Sequence, residues 1–191
     1  MIPLIIAIGL IIFFYSIEWS LRYGKEARSF KTTEKDNNST FYLKRLISLN
    51  TVIIPSAFLL NHYDICVLFN DPLLAISGNV IMVTGLLLRV FAVLTLKEYY
   101  TRTLKIQKNQ KIIDVGLYKH LRHPGYLGLI MIWTGAGLSS NNYLILIIVA
   151  LLTLSAYHYR MNSEEKMLIE AFGDDYKNYM QRTWRIAPLI Y

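Results

Sequence analysis

Residues 117–129, LYKHLRHPGYLGL, set two histidines, two basic residues and a proline directly before a strongly apolar run. Pro124 suits the first position of a helix, because its missing N–H is among the donors that a helix start leaves unpaired. His123, the residue before it, is biased away from the helical region. The amides from Gly125 to Gly128 then have no preceding carbonyls to bind, and form a small positive nest for a carboxylate or phosphate. Gly125 and Gly128 add backbone access. The same features also suit a headgroup anchor followed by close helix packing, to which Gly128, Gly135, Ala136 and Gly137 would contribute. A second cluster, YHYRMNSEEKMLIEAFGDDY, starts at Tyr157 and sets Arg160 four residues before Glu164, so the two share a helical face. Taken alone they are either a surface ion pair worth a few tenths of a kcal/mol or a pair of binding groups.

What positions these groups is a membrane bundle. With 54% hydrophobic residues and a mean hydropathy of +0.35, the chain is too apolar for a soluble domain of its length. Apolar stretches run over 1–21, 46–69, 72–96, 124–138 and 143–159, and most reach the roughly 20 residues that a crossing helix needs. The expected fold is all-α and polytopic, with five transmembrane helices and a small cytoplasmic cofactor-binding cap. The fourth helix is short, about 24 Å, and only SSNN separates it from the fifth. A tight helical hairpin follows. It brings the start of helix four beside the far end of helix five, so the amide nest, His123, Tyr126, Arg160 and Glu164 should converge.

Of the 20 basic residues, seven lie between Arg22 and Arg45, seven between Lys97 and Arg122, and five from Arg160 onward. The loops FNDP and SSNN hold none. This asymmetry places the basic loops, the C-terminus and the site in the cytoplasm and the N-terminus outside. The formal charge of +7 then needs no nucleic acid, since anionic headgroups meet such a surface. The first apolar stretch has no basic residues before it and reads as a retained helix. The tract KTTEKDNNST is polar enough to be a mobile loop, and its glycosylation patterns would be inert in the cytoplasm. A single cysteine, Cys66, excludes an internal disulfide and any cysteine-based metal site, and no metal is expected. Arg89 lies inside helix three, and snorkelling to the membrane surface is favoured over pairing with Glu164 or Glu165. His62 and Asp64 fall at the opposite end of the bundle and read as interfacial.

The runs GLYKHLRHPGYLG and RMNSEEKMLIEAFGDDYKNY resemble the isoprenylcysteine carboxyl methyltransferase family, and more widely the membrane methyltransferases that act on phospholipids. The resemblance covers about half the chain, residues 85–179, with RHPGYLG, EE and FGDDY as its specific core. It implies one membrane domain over 1–191, in which 1–69 is scaffold and 85–191 the catalytic core. It further implies an S-adenosylmethionine site reached from the cytoplasm, with a lipidic or prenylated substrate arriving sideways from the bilayer. Carried over by position, Gln110, Lys111, Ile112 and Ile113 would cradle the adenosine with Tyr118 beside it. His123, Pro124, Gly125 and Tyr126 would hold the methionine part, Glu164 would take the ammonium, and Arg160 would bind and orient the substrate as the catalytic residue. The match is poorest at Gln110 and Lys111.

The residues agree with those roles on physical grounds. A carboxylate for the nest and an ammonium for Glu164 are both charge-assisted contacts. A carboxylate acceptor is already ionised near neutral pH and needs no strong base, so positioning by Arg160 carries the chemistry. A phospholipid amine acceptor would first have to lose a proton. Two readings from other classes stand beside this one. One is an NADPH-dependent membrane reductase of the sterol-reductase type, which HPGYLG and the closing YMQRTWRIAPLIY also resemble; the other is a non-catalytic lipid-binding protein.

Overall fold

A computed structural model describes residues 2–21, 36, 38–67, 72–101, 103–107 and 109–186, Glu98 by its backbone alone. Among the described residues, six α-helices follow in chain order: α1 Ile2–Ser20, α2 Ser39–His62, α3 Pro72–Leu96, α4 Pro124–Ser139, α5 Tyr143–Phe172 and α6 Asp174–Gln181, with 3-10 turns at Lys97–Tyr99 and Gly116–Lys119. Among the described residues, α1, α2, α3 and α5 are long and apolar enough to cross a membrane. The sequence suggested five such helices. The difference is α4, whose 16 residues are the shortest apolar helix of the bundle. Eleven of them are buried, whereas the longer helices keep apolar outer faces exposed, at Ile5 and Ile12, Val52 and Leu59, Val80 and Phe91, Ile147 and Leu151. Side chains exposed in this way suit contact with lipid. The core joins Leu4 and Phe14 of α1, Ile54 of α2, Met82 of α3, Trp133 of α4 and Val149 of α5.

The second helix departs from its expected bounds of 46–69. It begins seven residues earlier because Asp36 caps it, accepting from the Thr40 amide at 3.0 Å and the Ser39 hydroxyl at 3.0 Å. Within the polar tract expected to be mobile, Asp36, Ser39 and Thr40 are therefore buried; its residues 31–35 and 37 lie outside the described ones, as do 22–30, most of the FNDP loop at 68–71, and the closing residues 187–191. The SSNN hairpin is tight as expected. Asn141 takes the left-handed conformation at φ 54, and the Asn142 side chain accepts from the Ile145 amide at 3.2 Å to cap α5. Helix α5 then runs unbroken for 30 residues, about 45 Å, until Gly173 at φ 58 turns the chain into α6.

Helices α3 and α4 are joined by glycine. A Cβ on Gly85 would lie 2.6 Å from the Gly128 carbonyl oxygen, and one on Gly78 would lie 2.5 Å from that of Gly135. Without side chains the two backbones touch, as small residues permit within membranes. At the end of the bundle where α2 finishes, Ser139 donates to Asn79 at 3.0 Å, and Asn142 donates to Asn61 at 2.9 Å. His62 and Asp64 belong to this end too. The opposite end carries the polar clusters.

The crossing generates a stability prediction. Gly85→Ala should lower the thermal midpoint in detergent by the equivalent of about 1–3 kcal/mol, because the neighbour that must give way is backbone. Gly9→Ala on α1, where an added Cβ meets nothing within 4 Å, should leave the midpoint unchanged or raise it. Equal responses at the two positions would contradict this packing.

Candidate functional site

The polar end is organised by the start of α4. Pro124 occupies its first turn, and His123 before it has φ −127 and ψ 53, outside the helical region. The His123 carbonyl accepts from the Tyr126 amide at 3.0 Å and the Leu127 amide at 3.1 Å. The expected four-amide nest is thereby reduced, because a residue before a helix uses its carbonyl for the first intrahelical bonds. The open backbone expected beside Gly125 is also filled: Nη1 of Arg89 lies 2.8 Å from where a Cβ would stand. At Gly128 the space is taken up by the α3 crossing.

Glu164 and Glu165 are consecutive on α5 and point apart. The Glu165 carboxylate accepts from Arg122 Nε at 2.9 Å and His123 Nε2 at 3.0 Å, with Arg185 Nη2 at 3.1 Å. Because a carboxylate accepts, Nε2 of His123 is the donor in this contact. The C-terminal segment is strapped to the same place: the Arg122 amide donates to the Trp184 carbonyl, the Trp184 amide to that of His120, and the His123 amide to that of Arg185, at 2.8, 2.8 and 3.1 Å. Arg122, Glu165 and Arg185 thus fix the ring and backbone of His123, which stacks on Tyr126 with centroids 5.5 Å apart. The sequence assigned none of the three to this role: Arg122 stood only within RHPGYLG, and Glu165 was considered only as a partner for Arg89.

A cavity of about 920 Å³, counted out to its open mouth, lies against this frame. Its lining includes Gln110, Lys111, Ile112, Ile113, Tyr118, His123, Gly125, Tyr126, Arg160 and Glu164, so ten of the eleven residues picked from the sequence face one space. Pro124 is the exception; it is buried at the helix start and acts through backbone geometry. Apolar walls come from Leu96, Leu104, Met167, Leu168 and Phe172. Tyr118 is buried, and burial holds its phenol well above the usual tyrosine range, so it stays neutral. The carbonyl of Tyr118 accepts from the Tyr179 hydroxyl at 2.7 Å, tying α6 to the site. Glu164 offers a buried oxygen, Oε2, with no hydrogen-bond partner among the described residues; His123 Nδ1 is 3.8 Å from it. A buried carboxylate oxygen left unpaired is costly, and this one can accept a further donor.

Arg160 lies one turn from Glu164 and is only 2% exposed. Its Nε donates to the Tyr126 hydroxyl at 3.2 Å, while Nη1 donates to Asp36 and Ser39 at 2.7 Å each and to Thr40 at 3.1 Å. Asp36 also accepts from the Leu104 amide at 3.4 Å, so it joins the α2 cap, α5 and the loop over the cavity. Burial alone would raise the Asp36 carboxyl, but the Thr40 amide and the Arg160 guanidinium outweigh it and hold it below the usual range.

Behind Arg160 opens a second cavity, about 820 Å³ when counted out to its open mouth, between α1, α2, α3, α4 and α5. Phe14, Leu43, Ile47, Leu129 and Trp133 give it a largely apolar lining. Arg89, Tyr100, Thr101, Tyr126 and Arg160 line both cavities. Arg89 does not snorkel to the membrane surface, nor does it pair with Glu164 or Glu165. It is buried, and its Nε donates to Glu18 of α1 at 2.7 Å. Burial inside hydrocarbon requires an opposite charge, and Glu18 supplies it.

Comparisons with known proteins bear on this geometry. Residues 78–170 match the profile of the isoprenylcysteine carboxyl methyltransferase family. A probable protein-S-isoprenylcysteine O-methyltransferase from Oryza sativa subsp. indica is 28% identical over 151 residues, which is 76% of this chain and 79% of that protein. The protein-S-isoprenylcysteine O-methyltransferase of Schizosaccharomyces pombe is 28% identical over 86 residues, 45% of this chain and 36% of its own. A solved structure of the eukaryotic intramembrane Ras methyltransferase superposes with a TM-score of 0.67 at 23% identity, covering 75% of this chain and 52% of that one. The last likeness is one of fold.

The Asp36–Arg160 pair generates a prediction with a defined sign. A carboxyl depressed in the folded state adds stability above its unfolded value, here near 3.8, and loses it as pH falls through the lower folded value. Asp36→Ala should lower the thermal midpoint by the equivalent of about 3–5 kcal/mol at neutral pH, since it strands a buried guanidinium. The gap to the wild type should narrow as pH is taken below 3.8. A gap independent of pH would assign the loss to packing instead of charge.

Proposed function

We propose that this chain, a relative of the isoprenylcysteine carboxyl methyltransferases, is an S-adenosylmethionine-dependent enzyme that methylates the carboxylate of a prenylcysteine-like lipid. The observation that carries the reading is the shared wall: one cavity with polar and apolar faces meets a second, apolar one at Tyr126, Arg160, Arg89, Tyr100 and Thr101. A donor in the first and a prenyl chain in the second would bring their reactive ends together there.

The residues fit the donor. Ile112, Ile113 and Phe172 offer apolar faces for a nucleobase, and the unpaired Oε2 of Glu164 suits an ammonium group. S-adenosylmethionine supplies, when bound, an electrophilic methyl group on a sulfonium. Arg160 and Tyr126 hold the acceptor carboxylate toward that methyl group. No base is required, because a carboxylate is ionised near pH 7; orientation between two held groups lowers the barrier by several kcal/mol. A lipid acceptor reaches the second cavity sideways from the bilayer, and the basic end of the bundle faces the cytoplasm.

Calorimetry on the detergent-purified protein tests the reading. It should bind S-adenosylhomocysteine and not NADPH, and should transfer a methyl group to a prenylcysteine mimic; the opposite preference would favour a reductase. Glu164→Gln should weaken S-adenosylhomocysteine binding by about 1.5–3 kcal/mol, roughly ten- to a hundredfold, and unchanged affinity in a folded variant would remove Glu164 from the site. Arg160→Lys should keep cofactor affinity near that of the wild type while turnover falls, since lysine returns the charge without the planar fork. Equal losses of binding and turnover would contradict an acceptor-orienting role. For orientation, cysteines replace exposed Tyr63 and exposed Lys177 in a Cys66→Ser background. The first should react with an impermeant reagent on intact cells and the second only after permeabilisation; the reverse pattern would invert the topology.

A further inference from the structure

Arg89 is held in an unusual way for a membrane-helix arginine. Glu18 takes its Nε, and Tyr100 accepts from Nη2 while donating to the second Glu18 oxygen at 2.8 Å. The Tyr100 ring lies under the guanidinium with its centroid 4.9 Å away. One edge of the fork is thus gripped by α1 and by the loop that covers the first cavity. The remaining nitrogen, Nη1, takes no part in these bonds and lies against Gly125, the one residue type that admits it there. Arg89 also lines both cavities.

We infer that Nη1 of Arg89 binds a carboxylate where the two cavities meet, making Arg89 a second carboxylate-binding residue beside Arg160, with Glu18 and Tyr100 as its positioning residues. The inference rests on the methyltransferase reading above. Two observations converge on it. The His123 carbonyl occupies the Tyr126 and Leu127 amides, so the start of α4 falls short of neutralising an anion by backbone alone, and the Arg89 guanidinium stands at that spot. Glu18 neutralises the buried cation while the site is empty of ligand, yet it contacts the edge away from Gly125, so a donor remains for a charge-assisted bond. Two carboxylates reach this place in the proposed reaction, the acceptor's and the donor's own. The competing account makes Glu18–Arg89 an ion-pair staple between α1 and α3 with no ligand contact.

The test uses the full-length protein in detergent and two matched ligand pairs: S-adenosylhomocysteine with its decarboxylated analogue, and a prenylcysteine with its carboxamide. Wild type should prefer the carboxylate member of a pair. Arg89→Lys should reduce that preference about tenfold or more for one pair, which identifies whose carboxylate is seated, and leave binding of the carboxylate-free member unchanged. Exchanging the charges, Glu18→Arg with Arg89→Glu, should restore a staple and the thermal midpoint but not the preference. Retention of wild-type preference for both pairs by Arg89→Lys would overturn the inference, as would full recovery by the exchanged protein; should the exchanged protein fail to fold, the lysine variant decides alone. A wild type that binds neither S-adenosylhomocysteine nor prenylcysteine would instead remove the methyltransferase reading, and this inference with it.

Discussion

A guanidinium cannot be left alone inside a bundle surrounded by hydrocarbon, and this constraint governs the polar end of the molecule. Arg89 and Arg160 are both buried on the wall between the two cavities, and each is neutralised by a carboxylate from the N-terminal part of the chain, Glu18 and Asp36. Stranding either charge would cost several kcal/mol. The pairing therefore does more than hold helices together. It fixes α1, the cap of α2 and the covering loop relative to α3 and α5, and so sets the boundary between the two cavities.

The second requirement is proximity of the α3 and α4 backbones. The Gly85–Gly128 contact draws the start of α4 against the last turns of α3, which brings Gly125 onto Arg89. On the other side of α4, Glu165 gathers Arg122, His123 and Arg185, and the strap at 184–185 bonds to the backbone of 120–123. The His123 ring, stacked on Tyr126, is thus fixed from both sides before any ligand arrives. A site held in this way spends little binding energy on ordering itself.

Much of this was legible in the residues. Two apolar runs and the SSNN turn between them give the hairpin, the hairpin gives the convergence of His123, Tyr126, Arg160 and Glu164, and the basic asymmetry marks the end of the bundle where they meet. Long-range pairing was not. Asp36 sits in a polar tract that composition alone assigns to a loop, and its partner is 124 residues away. Glu18 is 71 residues from Arg89, on a helix whose apolar sequence reads as scaffold. The amide nest is smaller than the residue types imply, because the carbonyl of His123 takes the Tyr126 and Leu127 amides. The fourth apolar run forms a helix of 16 residues, most of them buried, and apolar composition alone does not distinguish lipid contact from burial among other helices.

The two cavities share a wall at Arg89, Tyr100, Thr101, Tyr126 and Arg160, and the proposed reaction requires donor and acceptor to occupy them together. A bisubstrate compound, with the adenosyl and amino acid parts of the donor joined through a short methylene bridge to a prenylcysteine carboxylate, measures this directly by its dissociation constant. The account predicts binding at least about a hundredfold tighter than either half, because the second half then engages as an intramolecular ligand. Affinity no better than that of the tighter half would mean that the two spaces do not open onto each other, and would contradict the shared wall as the place of methyl transfer.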